Sequence, residues 1–107
     1  MNNDLENIWF VYMIRCSDNS LYTGITKDIK RRYKEHFEGK GAKYTRMRPP
    51  KEICCVFKVE NRSLAGKLEY FIKKLSKKEK EFLIFEEKNK KNFIKIVKEK
   101  LKIEIFL

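Results

Sequence analysis

The first hydrophobic block, Ile8-Trp9-Phe10-Val11-Tyr12-Met13-Ile14, leaves no polar position on either face of a pleat, which predicts a central strand covered by helices on both sides. The polar cluster Ser17-Asp18-Asn19-Ser20 predicts a turn and Leu21-Tyr22-Thr23-Gly24-Ile25 a second strand, so the two form an antiparallel hairpin. A helix follows from about Asp28 to Phe37, with Thr26 or Asp28 as its cap, Gly39 as its stop and Ile29, Tyr33 and Phe37 as its apolar stripe. Arg32 and His36, four positions apart, stack on one edge of that helix. Gly39 to Pro50 reads as a basic loop and Ile53 to Val59 as a third strand. From Asn61 to Leu75 the apolar positions Leu64, Leu68, Phe71, Ile72 and Leu75 share one helical face. Ser76-Lys77-Lys78-Glu79 is a capping box that opens another helix to about Phe85. Phe93, Ile94, Val97 and Leu101 then keep helical spacing in a lysine-rich end.

The order β-β-α-β-α-α predicts an α+β domain with a small, mainly antiparallel sheet flanked by helices, followed by a basic helical carboxy-terminal extension. At 107 residues there is chain for one domain, divided here into residues 1–87 and an extension of the same domain at 88–107. The apolar share of 42% is enough for a core.

Charge narrows the partner. A formal net charge of +11 points to a polyanion, either nucleic acid or an acidic membrane face. Residues 27–51 alone hold ten Lys or Arg against three acids, with Tyr33, Phe37 and Tyr44 interleaved, which suits a surface that tracks phosphates. The tail from Lys88 to Leu107 carries seven Lys against two Glu and is open to three readings: a solvated face, a further nucleic-acid clamp or a membrane-surface helix. Cys16, Cys54 and Cys55 form no C-x-x-C pair and read as buried free thiols of a reducing cytosol. One histidine makes a His-rich or Cys/His zinc site a poor fit. Met1-Asn2-Asn3-Asp4 lacks a basic leader, and Ile8–Ile14 is too short to span a bilayer, so a cytoplasmic protein with no membrane association is expected.

The candidate chemistry lies on the hairpin and two helices. Tyr12 and Tyr22, ten positions apart across a tight turn, can bring their hydroxyls to neighbouring points of one sheet. Gly24 marks a place where another backbone or a phosphate can come close. Glu69 falls at the border of the Leu64–Leu75 stripe, where a carboxylate can hold a divalent ion without full burial. Each residue also has a plain structural reading: the tyrosines as packing aromatics, Arg32 as part of a solvated charge run, His36 as an ordinary flank residue, Glu69 as the i,i+4 partner of Lys73.

Phe10-Val11-Tyr12 and Tyr22-Thr23-Gly24, with Arg32 eight residues beyond the glycine, His36 one turn further and Glu69 on the later helix, resemble the motifs of the GIY-YIG nuclease family. Phe10 stands where that family usually has Gly. The run Arg15–Thr26, Gly39-Lys40-Gly41-Ala42-Lys43-Tyr44-Thr45-Arg46 and Ile72–Ser76 look like its short stand-alone bacterial branch, the YhbQ-like proteins. The resemblance covers residues 8 to about 84 and implies a three-stranded sheet and Mg²⁺-dependent (or Mn²⁺-dependent) endonucleolytic cleavage of nucleic acid, with DNA expected. It implies Tyr12 as acceptor of the attacking water's proton, Tyr22 as orienting group, Arg32 on the phosphate, His36 as phosphate donor or proton-transfer aid, and Glu69 as ligand of one ion. Nearby cations are expected to lower the Tyr12 pKa for that task. Lys27, Arg31, Lys40, Lys43, Arg46 and Arg48 are the expected nucleic-acid contacts. A binding module of the same fold without cleavage is the alternative, and so small a domain leaves room for a partner protein that supplies specificity.

Overall fold

β1 (Trp9–Cys16) runs through the interior of a four-stranded sheet with the order β2-β1-β3-β4, completed by β2 (Leu21–Thr26), β3 (Pro50–Val59) and β4 (Ile105–Phe106). All three pairings are antiparallel. The helices are α1 (Ile29–Phe37), α2 (Lys43–Met47), α3 (Arg62–Lys74), α4 (Lys77–Phe85) and α5 (Glu87–Leu101). The computed structural model describes residues 7–107, so the reading of Met1–Asp4 lies outside the described residues.

Local chemistry sets most of these boundaries. The Asp28 side chain accepts from Arg31 N at the start of α1, Asn61 does the same for Leu64 N on α3, and Ser76 and Glu79 form the reciprocal capping box of α4. Gly39, with φ of 75°, takes the left-handed conformation after α1 that a glycine adopts without strain. Asn19, at φ 68°, turns the β1–β2 hairpin.

Two expectations are corrected. The sheet has four strands, not three: Lys102 turns the chain after α5 with φ of 57°, and Ile105 and Phe106 pair with Val59 and Lys58. A two-residue strand is too short to show alternation. The lysine-rich end also contributes to the main core, where Phe93, Val97, Ile103 and Ile105 are buried. Second, the Gly39–Pro50 stretch is not all loop, because Lys43–Met47 form α2.

Alternation along β1 divides the interior. Val11 and Met13 point to the face covered by α3, α4 and α5, where Phe57, Ala65, Leu68, Ile72, Leu83 and Val97 complete the larger core. Tyr12, Ile14 and Cys16 point to the other face, towards Ile29 of α1 and Tyr44 of α2. A bulge at Cys54 shifts the β1–β3 register, so that Ile53 packs on the tyrosine face while Cys55 packs on the other. Cys16 and Cys55 are buried free thiols as expected, whereas Cys54, at the bulge, is only partly covered.

Candidate functional site

The tyrosine face of the hairpin builds the site. Tyr12 pairs with Gly24 and Ile14 with Tyr22, which puts the two tyrosines on one face at a diagonal, their ring centroids 6.2 Å apart. The space above Gly24 is filled by the tyrosines and is not open to a phosphate: a Cβ there would stand 2.6 Å from the Tyr12 hydroxyl oxygen and 2.9 Å from Tyr22 Cε2. The glycine therefore serves the Tyr12 ring, within β2 and not at its end.

α1 lays His36 across this pair. His36 is fully buried, its Nε2 is 2.7 Å from the Tyr12 hydroxyl, and its ring centre is 5.3 Å from that of Tyr22. On the other side of the ring, Nδ1 lies 2.7 Å from Thr45 Oγ1, and Thr45 in turn donates to the Ala42 carbonyl at 3.0 Å. One turn before His36, Arg32 bonds Glu35 at 3.2 Å, and its charge acts on the Tyr12 phenol. The tyrosine pair set by strand spacing thus meets His36, with Arg32 one helical turn before it. A phosphate cannot meet His36 directly, because no part of the ring is exposed.

Burial dominates the electrostatics. It pushes the Tyr12 phenol up to about 12, against the pull of the Arg32 guanidinium. Arg32 does lower this pKa as expected, but burial outweighs it and the net shift is upward. Burial and the Arg32 charge hold His36 down to about 4, so the imidazole is neutral at physiological pH.

Glu69 is engaged by a partner on its own helix. It sits on α3, which covers the opposite face of the sheet, and it is ion-paired with Lys73 at 3.1 Å. Among the described residues it makes no hydrogen bond or ion pair with Tyr12, Tyr22, Arg32 or His36, and no group of three or more His, Cys, Asp or Glu side chains could close around a metal. Lys27, Arg31, Lys40, Lys43 and Arg46 are exposed. Arg48 is engaged instead: its guanidinium carbon lies 4.3 Å from the Tyr44 ring centre and its Nε 3.3 Å from Asp18.

Sequence reasoning missed Thr45 and the packing role of Tyr44, whose ring centre is 5.8 Å from that of Tyr22. A signal was present in Gly41, because a side chain there would collide with His36 Nδ1. Small residues followed by a hydroxyl mark a segment crossing close over a ring.

No helix among the described residues is long and apolar enough to cross a membrane. Comparison with known proteins identifies the family. The sequence profile of the GIY-YIG catalytic domain matches residues 8–100. A UPF0213 protein of Citrobacter koseri is 50% identical over 78 residues, covering 73% of this chain and 78% of the relative. The UPF0213 protein YhbQ of Escherichia coli O127:H6 shows the same identity and coverage, 50% over 73% and 78%. The solution NMR structure of a UPF0213 protein from Bacillus halodurans is 43% identical, with a TM-score of 0.48 over 72% of this chain and 82% of that one. A domain match over this much of the sequence, with relatives at half identity, places the chain in the GIY-YIG catalytic-domain family, in its short YhbQ-like branch.

Proposed function

We propose that this domain hydrolyses phosphodiester bonds in nucleic acid, with DNA as the preferred substrate and one Mg²⁺ or Mn²⁺ ion as cofactor. The observation that carries the reading is the convergence of Tyr12, Tyr22, Arg32 and His36 from two strands and one helix onto one face. Arg32, about a third exposed at the side chain, offers a planar fork to a phosphate. Tyr22, partly exposed beside it, orients the water or the scissile group. Tyr12 keeps its proton at neutral pH, so it serves first as the partner of His36 beside the Arg32 charge, rather than as a ready-made base.

Glu69 fits the ion in chemistry: Mg²⁺ commonly takes one or two carboxylates and fills its remaining positions with water and substrate oxygens. Such an ion supplies charge neutralisation at the phosphate oxygens. Lys27, Arg31, Lys40, Lys43 and Arg46 are the residues assigned to the flanking phosphates, with Arg48 tied to Tyr44 and Asp18. One observation favours the binding-only alternative, namely that Lys73 holds Glu69.

Incubation of labelled single-stranded, duplex and branched nucleic acids, with Mg²⁺ or with chelator, separates the two. Cleavage that stops with chelator and in Glu69→Gln, at unchanged thermal midpoint, is the expected result. Binding without cleavage under every condition would leave the module as a binder.

A further inference from the structure

We propose that Thr45 is a positioning residue: it sets the direction of a buried hydrogen-bond chain that begins at Tyr12, and so decides whether the Tyr12 lone pairs or its proton face the neighbouring Arg32 guanidinium. The step from that guanidinium to a phosphate rests on the nuclease reading. The chain itself does not.

The number of protons on each group fixes the direction of each link. A threonine hydroxyl has one, and the Ala42 carbonyl 3.0 Å away can only accept, so the Thr45 proton points there. Towards His36, Thr45 Oγ1 must then accept, which places the ring proton on Nδ1 across the 2.7 Å contact. In a neutral imidazole Nε2 is consequently bare, and the Tyr12 hydroxyl 2.7 Å from it must donate. With its proton committed to His36, Tyr12 turns its lone pairs to the Arg32 charge, which lowers the cost of the cation beside it. Every link runs one way, from Tyr12 through His36 and Thr45 to the Ala42 carbonyl.

Reversal at His36 turns Tyr12 as well. A proton on Nε2 would be donated to Tyr12, whose own proton would then swing away from His36 and turn the positive end of the hydroxyl towards the Arg32 charge. A doubly protonated ring would do the same. The groups around the imidazole oppose that charge: Tyr12, Tyr22 and Thr45 are neutral and the Arg32 cation outweighs Glu35 among its charged neighbours. The fold also secures Thr45. It is 1% exposed on the short α2, and Gly41 lets the segment pass over the ring where any side chain would strike Nδ1.

His36 is the single histidine of the chain, so an imidazole ¹⁵N spectrum reports on it alone. The wild type is expected to show the Nδ1–H tautomer, Thr45→Ser to keep it, and Thr45→Val, equal in shape but without the acceptor, to lose it. On nucleic acid with Mg²⁺, Thr45→Val should lower kcat roughly 10- to 100-fold with KM held within about twofold, and Thr45→Ser should restore kcat. An Nε2–H tautomer in the wild type, an unchanged tautomer in Thr45→Val, or full kcat despite a changed tautomer would overturn the proposal. Should the wild type cleave nothing, the tautomers of the three proteins still decide the chain's direction, and only the nuclease reading falls.

Discussion

Val11 and Tyr12 are neighbours on β1 and both are at most 1% exposed, yet they are buried for different reasons. Val11 enters the larger core, where Phe57, Leu68 and Ile72 offer aliphatic and aromatic surface and where contact has no preferred direction. Tyr12 enters the smaller face, where its hydroxyl must meet His36 at hydrogen-bond distance and angle. Polar satisfaction follows the same division. The Tyr12–His36–Thr45 chain is fully partnered, whereas Thr23, which pairs with Met13 on the α3 side, is the one described residue with a buried side-chain polar atom lacking a partner. One face holds the fold by volume and the other holds the chemistry by direction. A change of size should hurt the first, and a change of donor or acceptor the second.

The largest effect is expected from Phe57→Ala. Phe57 is fully buried with its ring centre 5.5 Å from that of Phe93, and emptying such a site costs about 3–5 kcal/mol. Chemical denaturation measures the loss. A cost near 1 kcal/mol would mean that the α3 side collapses readily around voids.

Arg32→Ala probes the other face, with cleavage as readout. It should lower the rate on the order of 10²-fold while the thermal midpoint stays near that of the wild type. Arg31→Ala, one residue away and exposed, should change the rate little. Equal losses would reduce the site to a diffuse basic surface.

Two single-atom changes sharpen the contrast further. Tyr12→Phe strips the donor from the buried His36 Nε2, at an expected cost of about 1–3 kcal/mol. Thr23→Val removes a hydroxyl that has no partner and should raise stability by about 1 kcal/mol. Urea midpoints of the two variants should move in opposite directions, and movement in the same direction would end the distinction drawn between the faces.

The smallest effect belongs to a clip between β1 and the α4 layer. Arg15 holds Glu81 by two bonds of 2.6 Å, and this keeps the carboxyl down at about 2, with Lys77 adding a weaker pull. Because the folded pKa lies below the ordinary glutamate value of about 4.3, the stabilisation is complete above that value and is lost as pH falls towards 2. With 37% of the Glu81 side chain exposed, water screening keeps the contribution below about 1 kcal/mol. The gap in urea midpoint between wild type and Glu81→Gln should therefore be small at pH 7 and close by pH 2.

Much of this was legible in the amino-acid order alone. The apolar block from Ile8, the hairpin cluster at Ser17–Ser20, the Asp28 and Asn61 caps and the Ser76-to-Glu79 capping box act over a few residues, and the structure keeps each of them. Tyr12 and Tyr22 were placed together by strand period and turn length, and Arg32 and His36 by the helical turn. Contacts distant in sequence decided the rest. β4 exists because Ile105 and Phe106 find Val59 and Lys58, more than forty positions earlier in the chain. His36 became a buried link rather than a surface group because Tyr12 and Thr45, 24 and nine positions away, close on its two nitrogens. Gly24 received its meaning from a ring on the neighbouring strand, and Glu69 is engaged by Lys73 on a helix behind the sheet. Propensity, capping and period are local and can be read along the chain. Burial, tautomer and pairing of edge strands are properties of a packed interior, set only when segments far apart in sequence meet.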